Sequence, residues 1–249
     1  MTVLSYHNDQ AVKDYHVAQA RRHYELDILR SGTYGNLEKR DDHEVFVACS
    51  IGCMAHDIDP DSEDKHKTVA DHAGWPLWLA YLSESMFEGL PADLRAKFHV
   101  DLREAIPIGK DLEPVQWKLA VARHERQLEA LKYNKEDYAV KCYQALHLVI
   151  NYCKAKVEGT ATEDQRKEAE KAADSAADSA ESARLADLAR SAYWSASWSA
   201  ESASWSAELA LSAYWSAVWS SAELALSANS AESHWLWERD TLLKLLIEA

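Results

Sequence analysis

Beyond Gly159 the chain has no glycine and beyond Pro114 no proline, although it holds seven glycines and five prolines in all. Nothing from residue 160 to residue 249 therefore breaks a helix by residue type. Cysteine is scarce as well. Four residues, Cys49, Cys53, Cys142 and Cys153, are too few for a disulfide scaffold and fit a reducing compartment. No window reaches the roughly 18 apolar residues of a membrane span, and MTVLSYHNDQAVKD has no apolar core behind a basic start. The expected location is cytoplasmic, with no membrane contact. Positive charge is also short, 27 Lys and Arg against 41 Asp and Glu, for a net charge of −14. Direct binding to nucleic acid or to an anionic membrane needs the opposite balance. Basic partners, including enzymes that normally hold nucleic acid, fit better.

What is present suffices for a core, since 47% of the residues are hydrophobic. Residues 1–159 read as a helical domain. In 9–30, Val12, Tyr15, Ala18, Arg22 and Leu26 or Leu29 follow one another at helical spacing until SGTYG ends the run. HEVFVACSIGCMAH fits a strand followed by a helix, or one helix. Further helices are predicted over 64–72, 76–88, 91–105, 114–132 and 135–157, with Pro76, Pro91 and Pro114 where a first turn tolerates proline. The expected fold is all-α, with a second region over 160–249 forming a long Ala/Ser/Trp-rich helix or a helical hairpin. As one helix that region would run roughly 135 Å, so a hairpin or an oligomeric bundle is the natural alternative. Asn229 is the least helix-prone point at which to bend it.

The stretch SAYWSASW at 191–198 returns as SAYWSAVW at 212–219. On a helical wheel Ala189, Ala196, Ala203, Ala210 and Ala217 recur every seven residues and form a seam of small side chains for close helix packing. The partner helix comes from the same chain or from a second copy, which makes a homo-oligomer an expected state. Trp194, Trp198, Trp205, Trp215 and Trp219 fall on the opposite face, with Glu201 and Glu208 among them. Ionised carboxylates are costly in a core. A ridge of indoles and carboxylates instead attracts Lys and Arg through cation–π and ionic contact. The competing reading lays the tryptophans over the N-terminal domain with the glutamates pointing past its edge. No Lys or Arg occurs between 191 and 237, which sets the tract apart from basic membrane-binding helices.

Cys49, Cys53 and His56 have the spacing C-x3-C-x2-H, which on a helix places them on one face, with His66 or His72 as a fourth donor for tetrahedral zinc. Buried free cysteines beside a core histidine are the plainer alternative. A Cys53–His56 nucleophile pair is a third, without a recognisable oxyanion hole. Cys142 and Cys153, eleven residues apart, read as core. His16 and His23 share a helical face and read as structural or surface residues.

Several blocks together carry a resemblance: GTYG at 32–35, CSIGCMAH at 49–56, DKHKTVADHAG at 64–74, MFEGLP at 86–91, EAIPIGKDL at 104–112, the Ala/Ser/Trp tract and the terminal DTLLKLLIEA. In this order they resemble a group of tailed-phage and prophage proteins of no established activity. Those proteins carry a G-C-x-x-G-C-x-x-H-like block. Here it reads A-C-S-I-G-C-M-A-H, so Ala48 departs from the pattern. The resemblance implies a phage setting and draws attention to Cys49, Cys53, His56 and His66, without implying a mechanism.

Two functions of different class follow. In the first, a non-enzymatic phage protein binds and modulates a host or anti-phage defence protein through the acidic Trp-rich surface, with no cofactor. In the second, Cys49, Cys53 and His56 form a zinc or Cys/His catalytic centre and the tail serves oligomerisation. A virion component is a further alternative.

Overall fold

A computed structural model describes residues 3–133, 135, 137–182 and 228–249. Among the described residues the chain is mostly helical with one small two-stranded sheet, an all-α fold. A 3-10 turn at Ser5–Asn8 leads into α1 (Gln10–Glu25), followed by a hairpin of β1 (Asn36–Arg40) and β2 (His43–Val47). Then come α2 (Ser50–Ile58), α3 (Lys65–Ala73), α4 (Leu77–Gly89), α5 (Ala92–Ala105), α6 (Glu113–Leu131), α7 (Asp137–Glu158), α8 (Glu163–Ser182) and α9 (Ala228–Ile247). HEVFVACSIGCMAH is thus a strand and then a helix. The strands pair antiparallel with Leu37 opposite Phe46.

Asp9 starts α1 by accepting a hydrogen bond from the Ala11 amide at 2.8 Å, and Asp64 starts α3 in the same way with Lys67 at 2.9 Å. The α1 helix ends at Glu25, earlier than the sequence predicts, because Asp27 turns to a φ of 49°. Its buried face is also not the predicted one. Ala18 and Arg22 are exposed, whereas His16, Ala20 and His23 are buried. The predicted stripe counted apolar residues, and the real one is built from histidine.

The described chain divides into two compact units, one of 1–113 with 235–249 and one of 114–234. This differs from the expected division at 159/160. Glycine and proline mark where helices stop, but not which helices share a core. Unit 1 contains α1 to α5, the hairpin and the end of α9. Trp235 of α9 covers Gly89 so closely that a Cβ there would lie 2.1 Å from the indole, and Leu242 and Leu246 are fully buried. Unit 2 has an apolar interior in which Cys142, Leu146, Val149 and Cys153 of α7 pack with Ala169, Ala173 and Ala176 of α8. The expected core role of Cys142 and Cys153 holds. Alanine does serve as a helix-packing seam here, upstream of the predicted one.

Ala189, Ala196, Ala203, Ala210 and Ala217 lie outside the described residues, as do Trp194, Trp198, Glu201, Trp205, Glu208, Trp215 and Trp219. Asn229 lies in the first turn of α9. Among the described residues no helix is long and apolar enough to cross a membrane.

Candidate functional site

Unit 1 gathers its chemistry-bearing side chains into two hydrogen-bonded groups, one near the surface and one inside. The outer group centres on Glu84 of α4. Its Oε2 accepts hydrogen bonds from the Tyr34 hydroxyl at 3.0 Å and from His66 Nε2 at 2.7 Å, and its Oε1 accepts from the Cys49 thiol at 3.5 Å. The hairpin approach brings Tyr34, the start of α2 brings Cys49, and α3 brings His66. Gly52 makes this convergence possible, because a Cβ at that position would sit 2.5 Å from the Tyr34 carbonyl oxygen. Stacking of His66 on Tyr81, with centroids 3.8 Å apart and planes 9° apart, fixes the imidazole plane.

These contacts assign the imidazole. With a carboxylate on Nε2, that nitrogen carries the proton, and Nδ1 is left as an acceptor. Nδ1 has no hydrogen-bond partner among the described residues and is not one of the buried unsatisfied atoms, so it reaches solvent. Burial and the facing Glu84 push the Cys49 thiol up to about 12, which disfavours the thiolate that nucleophilic attack requires. Burial and the hydrogen bond to Glu84 also raise the Tyr34 phenol. Nearby, Glu88 accepts from the Gly32 amide, and burial raises its carboxyl.

The zinc set is not assembled. Cys49 and His66 meet at Glu84, but Cys53 points toward the carbonyl oxygens of Ala48 and Ile28, and His56 stacks on Phe46 at 3.9 Å between centroids. Among the described residues no group of three or more His, Cys, Asp or Glu could hold a metal ion. The physical reason is the register of α2. Cys49 caps the helix through its sulfur and the Gly52 amide, Cys53 faces inward, and His56 emerges over the hairpin. The Cys53–His56 pair fails for the same reason, and burial pushes the Cys53 thiol up to about 12.

The inner group escapes a motif search because its members lie far apart in the chain. Arg103 Nη2 donates to the Ser50 hydroxyl at 3.3 Å, Ser50 Oγ and His99 Nδ1 are 2.8 Å apart, and His99 Nε2 and His23 Nδ1 are 3.1 Å apart. His23 Nε2 reaches the Asp57 carboxylate at 2.7 Å. With both imidazoles neutral, one direction satisfies every imidazole nitrogen of the relay: Arg103 donates to Ser50, Ser50 to His99, His99 to His23 and His23 to Asp57, while Arg103 Nε is left without a partner. The relay joins a fully buried cation to a partly exposed carboxylate. Arg103 has no ion pair of its own among the described residues. Its Nη1 donates to the His99 carbonyl, and its guanidinium lies 5.6 Å from the Trp75 ring centroid. Burial lowers its pKa to about 10, which still leaves it a cation at neutral pH. Beside the relay, His16 Nε2 meets His72 Nδ1 at 2.9 Å. His16 and His23 are therefore structural, as expected, but they are paired rather than isolated.

No family model, curated protein or solved structure matches the chain.

Proposed function

We propose that the protein is a phage-encoded, non-enzymatic binding protein that acts in the host cytoplasm by engaging a host or anti-phage defence protein through the acidic, Trp-rich segment 191–219. The observation that carries this reading is the setting of that segment. It has many tryptophans, includes Glu201 and Glu208, lacks Lys and Arg, and lies between two helices that each pack into a folded unit. On one side Ala169, Ala173 and Ala176 bury α8 against α7, and on the other Trp235, Leu242 and Leu246 bury the end of α9. Indoles beside carboxylates suit a basic partner surface. The test is capture of partners by the full chain and by a variant with Trp198, Trp205 and Trp215 changed to Ala, at low and high salt. Salt-sensitive capture lost in the variant supports the reading, and capture of every partner unchanged overturns it.

One observation favours a second reading. His66, oriented by Glu84 and with Nδ1 left as an acceptor, has the geometry of a general base. A screen with fluorogenic esters, phosphoesters and glycosides tests it. Turnover lost in both His66→Ala and Glu84→Gln supports it, and its absence in the wild type counts against it.

A further inference from the structure

We propose that the two histidine pairs that fasten α1 to its neighbours form a proton-sensitive latch, which holds the helix in place at neutral pH and releases it in mild acid. His16 and His23 lie two turns apart on the buried face of α1. Each meets a histidine of a different helix, His72 of α3 at 2.9 Å and His99 of α5 at 3.1 Å. Between two imidazole nitrogens at such distances there is room for one proton. A neutral pair shares it as a hydrogen bond, whereas a doubly protonated pair sets two N–H groups against each other.

Around His16 and His99 the surroundings offer no place for added charge. The charged or chargeable groups acting on His16 are Arg103 of α5, His72 of α3 and His7 of the N-terminal turn, all positive or able to become so. The turn also brings Tyr6, whose hydroxyl donates to the Arg103 carbonyl, while His7 is bonded to the Asp71 carbonyl. From α5, Glu104 is turned to the surface, where its carboxylate meets Arg21 at 2.7 Å and its carbonyl meets Lys13. From α2 come Cys53 and Asp57, and the Asp57 carboxylate is already taken by His23, with Arg22 at 3.6 Å. A proton added to His99 has to reverse the Ser50 hydroxyl and sit beside Arg103.

Burial and Arg103 lower His16 to about 3 and hold His99 well below the ordinary imidazole value. Burial and His7 lower His72 as well. The sign follows: the closed helix binds fewer protons than the open one, so closure is fully favoured above about pH 6.5 and weakens as pH falls below it. Opening converts a set of buried neutral rings into exposed cations. That places new positive charge on a chain whose net charge is −14.

Hydrogen exchange of the full chain, followed by mass spectrometry from pH 7.5 to pH 4 and corrected for intrinsic rates, tests the latch in the peptide covering α1. Each proton taken up on opening raises the opening constant about 10-fold per pH unit. With His16 and His99 contributing and His72 adding to them, wild-type protection should fall at least about 100-fold per unit below pH 6. His16→Phe keeps an aromatic ring against Trp75 and removes one titrating group, so the fall loses about a factor of 10 per unit. His72→Gln, at an exposed position, also makes the fall shallower, and keeps the test informative if His16→Phe does not fold. Protection independent of pH over this range overturns the latch, as do parallel curves for the wild type and both variants.

Discussion

The two units are both helical, yet they close their interiors with opposite materials. Unit 1 buries His16, His23, Ser50, Glu84, His99 and Arg103 and satisfies most of their polar atoms through directional contacts. Unit 2 buries Cys142, Leu146, Val149, Tyr152 and Cys153 against alanines, with His124 as its buried histidine among the described residues. An apolar seam tolerates a small shift, because dispersion contacts are many and individually weak. A polar relay tolerates little, since each member fixes the proton of the next and an unmade bond in low dielectric is costly. Chemistry and pH sensitivity therefore concentrate in unit 1.

Substitutions can break or sharpen this contrast. The largest effect is expected from Arg103→Ala, which leaves a cavity and takes donors from Ser50 and the His99 carbonyl. Unit 1 should lose about 4 kcal/mol in urea unfolding, with unit 2 unchanged. Leu146→Ala is the matching test in unit 2. It should cost about 3 kcal/mol and leave exchange protection of α1 as it was.

Acid should reach unit 2 through two histidines. Burial lowers His124 to about 4 from 6.5, and burial, with Arg123 and Arg126, lowers His234 to about 4 as well. The neutral form of His124 is the one the folded state holds, so its contribution to stability is full above 6.5 and falls by about 1.4 kcal/mol for each unit toward pH 4. His124→Gln should flatten that part of the curve, measured as the urea midpoint of unit 2 against pH. In the outer group of unit 1, Glu84→Gln presents an amide to the Tyr34 and His66 donors and should cost about 2 kcal/mol. The smallest change belongs to the start of α8. Thr162 and Gln165 cap each other's amides there, and Thr162→Ala should cost about 1 kcal/mol, seen in thermal unfolding.

Much of the fold was legible in local pattern. Proline positions gave the starts of α4, α5 and α6 to within a residue or two, and the spacing of Cys142 and Cys153 gave the buried face of α7. The α1 face was misread for an equally local reason: hydropathy counts histidine as polar, so His16, Ala20 and His23 do not read as a core stripe. The candidate site was half legible. Cys49 and His66 stood out, but Glu84 and Tyr34 lie in segments that carry no metal or catalytic spacing. The one signal for Glu84 was a lone acidic residue in the otherwise apolar stretch LWLAYLSESMF.

The sequence by itself determined the helices, the acidic charge, the absence of breakers after residue 159 and the composition of the tryptophan tract, because each follows from residue type and spacing along one segment. Only the tertiary structure decided that Trp235 returns to Gly89, that the core divides near residue 113, and that Asp57, His23, His99, Ser50 and Arg103 form one relay. Those choices depend on which helix faces meet. A hydrogen bond between residues 76 positions apart, such as that of His23 with His99, leaves no periodic trace in either segment.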